Sequence, residues 1–436
     1  MMGASTPISR TEQGPADATM ALSADLAGTV KTDPEQLDVV PAPQPIGIPD
    51  VLDQPPGYHR LHPNVSVNFQ LNRWLGWMTS QALPDVAQVA RGIRGYAQLT
   101  SAFLALGDRL LTEGRRLDAA FCYRAAEFFL LPGDQRRAPA RQRFLQLIRE
   151  VYGIGPQHLT QVPYEGGRLP TYRFGEPRKG TVVIFGGFDS YIEEFFPLML
   201  AFAHAGHQVV CFEGPGQGGA LEDSGLVFTP QWHRPVGAIL DHFGLAQVTL
   251  LGISLGGGLA IRAAAQEPRV ARVIANDILT DFLACNLRQV PGVARTAVRA
   301  LGAVHAAPLL DGLVARRARG DLLTSWGISQ GQHVLGVSTP HEYFASLARS
   351  RTADVSALVR ADVLLLAGAE DHYVPIRQLS DQLNTLTSAR SVTARVFTRH
   401  EQAQNHVQVG NIGLAVRVML DWLEGLDERD RRLSRV

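Results

Sequence analysis

The sequence predicts an α/β fold built on a mostly parallel sheet, with helical segments placed before the sheet and inserted within it. After Tyr152, short runs rich in β-branched residues alternate with helical patterns. This alternation predicts parallel strands that are joined by right-handed crossovers and covered by helices on both faces. The predicted strands are TVVIFGG (181–187), HQVVCFEG (207–214), VTLLGIS (248–254), VARVIAND (270–277), ADVLLLAGAED (361–371) and VTARVFT (392–398).

The segments outside the predicted sheet have their own patterns. Residues 65–150 repeat apolar side chains at intervals of three and four, which is typical of amphipathic helices. The long stretch between Asp277 and Ala361 is rich in Leu, Ala and Arg, which favours an inserted helical cap over a structureless loop. The predicted segments are a mobile arm poor in apolar periodicity (1–57), a helical domain (58–150), the first part of the sheet domain (151–278), the cap (279–355) and the second part of the sheet domain (356–427).

Composition and charge argue against several classes of protein. The 436 residues have a formal net charge of zero, so we expect no nucleic-acid partner. Apolar residues make up 45% of the chain, which is enough to bury a large core. The first twenty residues lack the pattern of a signal peptide, and no uninterrupted apolar run is long enough to span a bilayer. We therefore predict no membrane association.

The cysteines and the basic residues indicate the setting of the protein. Cys122, Cys211 and Cys285 are odd in number and far apart, which fits neither a disulfide framework nor a zinc site. We therefore expect a reducing, cytoplasmic location. Of the 41 basic residues only Lys31 and Lys179 are lysine, a bias typical of a GC-rich genome, and we expect a bacterial source.

Ser254 is the predicted nucleophile. The pentapeptide Gly252-Ile253-Ser254-Leu255-Gly256 fits the pattern G-x-S-x-G, and it follows a predicted strand and precedes a predicted helix. Glycines at these positions allow a tight, strained turn that exposes the serine hydroxyl above the strand ends. The strand, turn and helix context makes this interpretation stronger than a plain glycine-rich bend.

A nucleophilic serine needs a base, and the base needs an acid that orients it. In strand–turn–helix serine sites of this kind, the chain order is serine, acid, histidine. Asp371, just past the end of a predicted strand, is the predicted acid, and Glu370 is the alternative. His406, immediately before the last helical pattern, is the predicted base. His400 abuts the strand end, and His372 adjoins the acid itself, so both are weaker candidates.

The oxyanion of a tetrahedral intermediate needs two hydrogen-bond donors. The backbone N–H of Leu255, next to the serine, is the first predicted donor. The second is expected in the loop GGFDSYIEEFF after the first parallel strand, where Gly186 and Gly187 keep the backbone open. We predict the N–H of Phe188, with Asp189 as the next choice.

Cofactor and metal motifs are weak in this sequence. EGPGQGGA, residues 213–220, literally satisfies the dinucleotide fingerprint G-x-G-x-x-G, but it does not open a first βαβ unit and contains Pro215. We interpret it as a loop at the rim of the site. No His and carboxylate spacing typical of a metal site occurs, so we predict no cofactor and no metal.

Together, several motifs resemble those of a known family. GGFDSYIEE, EGPGQG, GISLGG, AGAEDHYVP and NHVQVGN, with the helical segment AAFCYRAAEFFL, look like the α/β-hydrolases that include fungal pigment polyketide-shortening hydrolases and bacterial pseudooxynicotine hydrolase. The resemblance covers about residues 65–425. It implies an α/β-hydrolase fold with Ser254 as nucleophile, Asp371 as acid and His406 as base.

The resemblance also implies the class of reaction. Members act on hydrophobic, often polyketide-derived molecules and cleave C–C or acyl linkages next to a carbonyl, so we expect a hydrophobic small-molecule substrate. Asp189 and Glu194 are expected to contact it, although Glu193 and Glu194 equally suit the solvated start of a helix. Two alternatives are a lyase that eliminates acetate or another carboxylate, and a non-catalytic receptor of the same fold. An isologous homodimer is the default expectation for the assembly.

Overall fold

The computed structural model describes residues 40–43, 51–288, 296, 307–318 and 322–435. At its centre is an eight-stranded sheet with the order β1-β2-β4-β3-β5-β6-β7-β8. The pairs β1/β2 and β2/β4 are antiparallel, and the pairs from β4/β3 to β7/β8 are parallel. The strands are β1 (Leu159–Tyr164), β2 (Gly167–Phe174), β3 (Thr181–Phe185), β4 (Gln208–Phe212), β5 (Val248–Ile253), β6 (Val270–Asn276), β7 (Asp362–Gly368) and β8 (Ser391–Phe397).

In the described part of the chain, five α-helices precede the sheet, and others follow its strands. The preceding helices are α1 (Val65–Leu75), α2 (Ala82–Gly92), α3 (Tyr96–Thr112), α4 (Arg116–Phe128) and α5 (Arg137–Tyr152). Those along the sheet are α6 (Phe196–His204), α7 (Gly218–Glu222), α8 (His233–His242), α9 (Leu255–Ala264), α14 (Arg377–Thr385) and α15 (Ile412–Leu433). Between β6 and β7 lie α10 (Phe282–Arg288), α11 (Ala307–Ala318), α12 (Leu322–Leu335) and α13 (Pro340–Ala348). The predicted α/β-hydrolase fold with a helical N-terminal region is therefore confirmed.

Alternating side chains of each strand pack into two apolar layers. Val182 and Ile184 of β3 join one buried cluster with the five N-terminal helices, α6 and α15. Val183 and Phe185 of the same strand join a second cluster with α8, α9 and the helices between β6 and β7. Because both faces are covered, the central strands are apolar throughout, which explains why they were visible in the sequence as continuous runs.

The hairpin of β1 and β2 was not among the predicted strands. Pro163 and Pro170 interrupt the two strands, and proline within a run weakens the strand pattern. The connecting residues Glu165 and Gly166 have φ values of 43° and 81°, as expected of a tight hairpin turn. The hairpin adds an antiparallel edge to an otherwise parallel sheet.

Part of the predicted mobile arm lies against the folded chain. Val40 forms an isolated bridge with Gly175, and the Gly57 N–H donates a hydrogen bond of 2.8 Å to the Gly410 carbonyl. Val40 and Gly57 are thus not part of a free arm, because each has a backbone group paired with the sheet domain. The rest of the predicted arm lies outside the described residues. In the described part of the chain, no helix is both long enough and apolar enough to cross a membrane.

Phe196 of α6 offers a test of the packing between that helix and the sheet. It is fully buried, and its ring packs against Tyr172 at 5.1 Å and Phe174 at 6.0 Å. Phe196→Ala is expected to lower the free energy of unfolding by about 3–5 kcal/mol, because it leaves a cavity between helix and sheet. Urea denaturation measures the change. The exposed Leu433→Ala serves as control and should stay within about 0.5 kcal/mol of the parent.

Candidate active site

Ser254 occupies a strained turn between β5 and α9. Its backbone has φ 60° and ψ −122°, which non-glycine residues adopt at a cost of about 1–3 kcal/mol. A Cβ on Gly252 would lie 1.9 Å from the Gly256 carbonyl oxygen, and one on Gly256 would lie 2.5 Å from the Gly186 oxygen. The Ser254 N–H donates to the Asn276 carbonyl at 2.6 Å. Neighbouring backbone segments therefore approach so closely that only glycine fits beside the serine.

His406 links the serine to a buried carboxylate. The Ser254 Oγ and the His406 Nε2 are 2.8 Å apart, and the His406 Nδ1 is 2.6 Å from the Asp371 Oδ2. The other carboxylate oxygen of Asp371 accepts the backbone N–H groups of Tyr373 and Val374 at 2.7 and 2.9 Å. The structure thus brings Ser254, His406 and Asp371 together in one hydrogen-bonded chain.

The charges in this hydrogen-bonded chain of three residues shift the pKa values of the histidine and the aspartate. Burial by itself lowers the pKa of His406, but the Asp371 carboxylate, its hydrogen bond and the nearby Asp277 outweigh burial and raise that pKa above its ordinary value. For Asp371, burial raises the pKa, while His406 and the Val374 N–H outweigh it and leave the pKa below its usual range. The site therefore favours an ionised acid beside an imidazole of increased basicity.

The alternative acid and bases lie elsewhere. Glu370 is exposed and accepts a hydrogen bond of 2.9 Å from the Nε of Arg399, so it points to the surface. His400 is also exposed. The ring of His372 packs 3.8 Å from that of Tyr373, and burial lowers the pKa of His372 to about 4. None of these three alternatives occupies the position that His406 and Asp371 hold beside the serine.

Asp277 is a second buried carboxylate beside His406, and the sequence analysis did not identify it. Its Oδ2 lies 3.6 Å from the His406 Nδ1 and accepts the Val407 N–H at 2.9 Å, while its Oδ1 accepts the side-chain amide of Gln408 at 2.6 Å. Burial and the Asp371 charge raise the pKa of Asp277 to about 7. The signal was present, because Asp277 follows the end of β6 just as Asp371 follows β7.

Asp277, Asp371 and His406 together offer three potential metal-ligand atoms within 4.8 Å of one another. However, all four carboxylate oxygens already accept hydrogen bonds from the chain, and the His406 Nδ1 faces Asp371 as a donor. A cation would compete with these bonds. The donor set therefore fits a proton-handling site better than a metal site.

The loop after β3 brings a glycine against the nucleophile. A Cβ on Gly187 would lie 2.9 Å from the Ser254 Cβ, so Phe188 follows directly beside the serine. The side-chain amide of Gln217 donates to the carbonyl oxygens of Gly186 and Gly187 at 2.7 and 2.9 Å. In a trans peptide the N–H points opposite to the carbonyl, so the Phe188 N–H is directed away from Gln217.

The EGPGQG segment has a supporting role in this geometry. Besides Gln217, it contributes Glu213, whose carboxylate accepts the N–H groups of Ile192 and Gly219 at 3.1 and 2.5 Å. Burial and the nearby Glu193 raise the pKa of Glu213 to about 8. The segment holds the loop after β3 in place, but none of its residues lines the cavity that opens at Ser254, so the structure does not put it at the predicted rim of the site.

The structure contradicts the predicted substrate contact of Glu194. This side chain is fully buried, and it pairs with the Arg73 Nη2 at 2.9 Å and the Arg124 Nε at 2.8 Å. Its two oxygens are therefore occupied by arginines of α1 and α4. Asp189 is different, because it borders the cavity, is partly exposed and pairs with the Arg73 Nη1 at 3.1 Å.

A cavity opens directly above Ser254. Its floor is formed by the strand ends and by His406, and one wall comes from the N-terminal helices through Phe69, Arg73 and Trp77. Residues between β6 and β7, among them Phe282 and Trp326, also line the cavity. Aromatic rings with a few polar groups are typical of a pocket for an apolar small molecule. The sequence analysis did not identify these wall residues, because aromatic side chains on helices more often belong to the core.

Comparison with known proteins identifies relatives of this chain. A family model described as alpha/beta hydrolase fold matches residues 180–407, slightly more than half of the chain. The hydrolase LUC6 of Fusarium sp is 25% identical over 415 residues, which cover 84% of this chain and 97% of LUC6.

Two solved structures share the fold. Wild-type AbyA5 superposes with a TM-score of 0.61 at 19% identity, over 85% of this chain and 97% of AbyA5. The 2,6-dihydroxy-pseudo-oxynicotine hydrolase superposes with a TM-score of 0.55 at 20% identity, over 81% of this chain and 94% of that chain. The resemblance drawn from the motifs is confirmed.

The expectation of a bacterial source is wrong. LUC6 and the further curated relatives from Aspergillus and Penicillium are all fungal proteins. The scarcity of lysine had suggested bacteria only through base composition, which is not specific to one kingdom.

Glu194 offers a test of the buried ion pairs. Glu194→Gln is expected to lower the free energy of unfolding by about 3 kcal/mol, because it leaves the charges of Arg73 and Arg124 less well paired in a buried place. The exposed Glu370→Gln, which removes a surface pair with Arg399, should cost less than about 1 kcal/mol. Urea denaturation of both variants measures the difference, and equal losses would contradict this account.

Proposed function

Because this chain belongs to the α/β hydrolase fold family, we propose that it is a serine-dependent hydrolase that cleaves a C–C or ester bond next to a carbonyl in a hydrophobic small molecule. The observation that carries the proposal is the hydrogen-bonded chain from Ser254 through His406 to Asp371, at the floor of an apolar cavity. The spacing of these three groups suits proton transfer from the hydroxyl to the imidazole.

In the first half of the reaction the serine becomes acylated. The Ser254 Oγ forms a bond to the substrate carbonyl carbon while its proton passes to the His406 Nε2, and the carbonyl π electrons move to the oxygen. Asp371 accepts the Nδ1–H, which keeps the reactive nitrogen free to take the proton and stabilises the imidazolium. When the intermediate collapses, the scissile bond breaks and its electron pair leaves with the leaving group.

The imidazolium then returns its proton to the leaving group. In C–C cleavage that group is a carbanion equivalent stabilised by its own carbonyl, and in ester cleavage it is an alkoxide. A water molecule, deprotonated by His406, attacks the acyl-enzyme and releases a carboxylic acid and the free serine. The same base thus serves both halves of the reaction.

Two backbone donors are proposed for the oxyanion. Leu255 supplies the first N–H group, because it opens α9 directly after the nucleophile. Phe188 supplies the second, and Gln217 supports this role by holding the Gly187 carbonyl on the other side of the peptide. Both donors lie on backbone fixed by packing, so they need little reorganisation when charge develops.

A secondary metabolite of polyketide type is the proposed substrate class. The support is the motif resemblance, the fungal hydrolase relatives and a cavity walled by aromatic rings with Asp189 and Arg73 at one side. Such a wall accommodates a flat, partly unsaturated molecule, while the polar groups can orient its oxygens.

Labelling by a fluorophosphonate probe tests the nucleophile. In this reaction the Ser254 Oγ bonds to phosphorus, fluoride leaves, and His406 takes the hydroxyl proton. We expect the parent to be labelled and Ser254→Ala to lose labelling completely, as measured by intact-protein mass spectrometry and peptide mapping. Ser434→Ala removes an exposed hydroxyl far along the chain and should label like the parent.

Failure to label Ser254 in the folded parent would contradict the proposal and favour a non-catalytic receptor of the same fold.

For a substrate that the protein converts, the products formed in ¹⁸O water distinguish hydrolysis from elimination. Hydrolysis places ¹⁸O in the released acid, whereas an alkene formed with loss of an intact carboxylate would show elimination.

The pH dependence of labelling follows from the raised pKa of His406. Only the neutral imidazole accepts the serine proton, so the labelling rate should fall as the pH decreases through that pKa. Because the pKa is raised, we expect the midpoint of this acid limb above pH 6.5. Labelling rates measured between pH 5 and 9, at intervals of about half a pH unit, give this midpoint. A midpoint clearly below 6.5 would contradict the charge arrangement.

A further inference from the structure

We infer that Asp277 is a positioning residue for His406, a second carboxylate that fixes the loop carrying the base and stabilises the imidazolium together with Asp371. This inference rests on the proposed serine chemistry, since it assigns a partner to the base of that reaction. Its evidence is the geometry at the ends of β6 and β7.

The topology brings the two carboxylates to the same imidazole. β6 and β7 are parallel neighbours, with Asn276 opposite Leu366, so the residues that follow both strands leave the sheet at one edge. Asp277 lies immediately beyond β6, 1% exposed, with its Oδ2 3.6 Å from the His406 Nδ1. Asp371 takes the shorter contact of 2.6 Å to the same nitrogen. The imidazole edge thus faces two carboxylates.

Asp277 also holds the backbone that follows the base. Val407 and Gln408 both have positive φ values, 46° and 53°, which are unfavourable for residues other than glycine. The Asp277 carboxylate accepts the Val407 N–H and the Gln408 side-chain amide. Two bonds from one buried group therefore compensate the strain of the turn that aims His406 at Ser254.

Above its pKa of about 7, where Asp277 is ionised, the second negative charge has a chemical consequence. When His406 takes the serine proton, a positive charge appears in a buried site where water provides little stabilisation. A carboxylate 3.6 Å away stabilises that charge without competing for the Nδ1–H, which Asp371 already accepts. Asp277 thus acts on the reaction through His406 and does not need to touch the substrate.

The other groups that face His406 do not substitute for this charge. Asp189, from the loop after β3, also raises the pKa of His406, but it is paired with Arg73. His372 is neutral at assay pH, because burial lowers its pKa to about 4. The rings of Tyr373 and Phe69 pack on the imidazole, and burial raises the pKa of the Tyr373 hydroxyl, so it stays uncharged as well.

Among the described residues, Arg288 is a further cation near this cluster. Arg288 of α10 donates from its Nη1 to the Asp371 carbonyl oxygen at 2.8 Å, and its charge contributes to the low pKa of His372. It contacts the backbone of that residue rather than either carboxylate. A shift in the pH profile on removal of Asp277 can therefore be assigned to the carboxylate that is lost.

The substitution Asp277→Asn tests the charge of the carboxylate separately from its hydrogen bonds. The Gln408 Oε1 has no hydrogen-bond partner among the described residues, so a flipped Gln408 amide can accept from the new Asn while the Asn oxygen still accepts the Val407 N–H. The variant thus keeps both bonds of the turn and loses only the charge. Asp277→Leu removes both the bonds and the charge.

The experiment is fluorophosphonate labelling of the full-length chain between pH 5 and 9. We expect Asp277→Asn to fold like the parent, to label roughly tenfold more slowly above pH 7, where Asp277 of the parent is ionised, and to show an acid limb shifted to lower pH, because the imidazolium loses one stabilising charge. Asp277→Leu should label more slowly still. Asp241→Asn, at an exposed carboxylate paired with Arg269, should leave rate and profile unchanged.

A double-mutant cycle adds an independent readout. If two carboxylates share the imidazolium, Asp371→Asn together with Asp277→Asn should lose more than the product of the two single losses. Parent-like rate and pH profile in Asp277→Asn, with only Asp277→Leu impaired, would overturn the inference and leave a structural role alone. No labelling of Ser254 in the parent would instead count against the proposed function.

Discussion

The strained backbone of Ser254 requires close packing of the segments around it. A serine at φ 60° and ψ −122° persists only if its surroundings hold it there, and the close approach of β5, α9 and the loop after β3 does so. Gly252 and Gly256 are needed because backbone atoms of neighbouring segments occupy the space of their side chains. The turn therefore depends on the packing of the sheet, and the hydroxyl direction is a consequence of that packing.

The N-terminal helices are part of the same arrangement. Arg73 of α1 and Arg124 of α4 meet Glu194 behind the loop that carries Phe188, and the Arg124 Nη2 donates to the Asp189 carbonyl at 2.6 Å. Buried ion pairs are costly to assemble and costly to break, so they specify one docking of helices against loop rather than adding much stability. The helices that form one wall of the cavity thus also fix the position of a proposed oxyanion donor.

The sequence was informative where one pattern decides the outcome locally. The parallel strands showed as apolar runs because both faces are buried, and Ser254, Asp371 and His406 follow a fixed chain order relative to those strands. Contacts between distant segments were not accessible. The partners of Glu194 lie 121 and 70 residues away, and no local pattern links them to it. Glu194 was predicted to contact the substrate, with a solvated helix start as the alternative, whereas the fold buries it against two arginines.

Asp277 is a second residue whose role could not be predicted from the sequence. A carboxylate past a strand end was visible in VARVIAND, but its meaning depends on β6 and β7 being neighbours, which chain order alone does not determine. Once they are adjacent, two aspartates and one histidine must share a small, dry volume, and the raised pKa of Asp277 is the cost of placing the second charge there. The apolar walls that suit the cavity to a hydrophobic ligand also strengthen every charge interaction at its floor. Binding and base positioning therefore draw on one property of the site, the burial of its side chains among apolar groups.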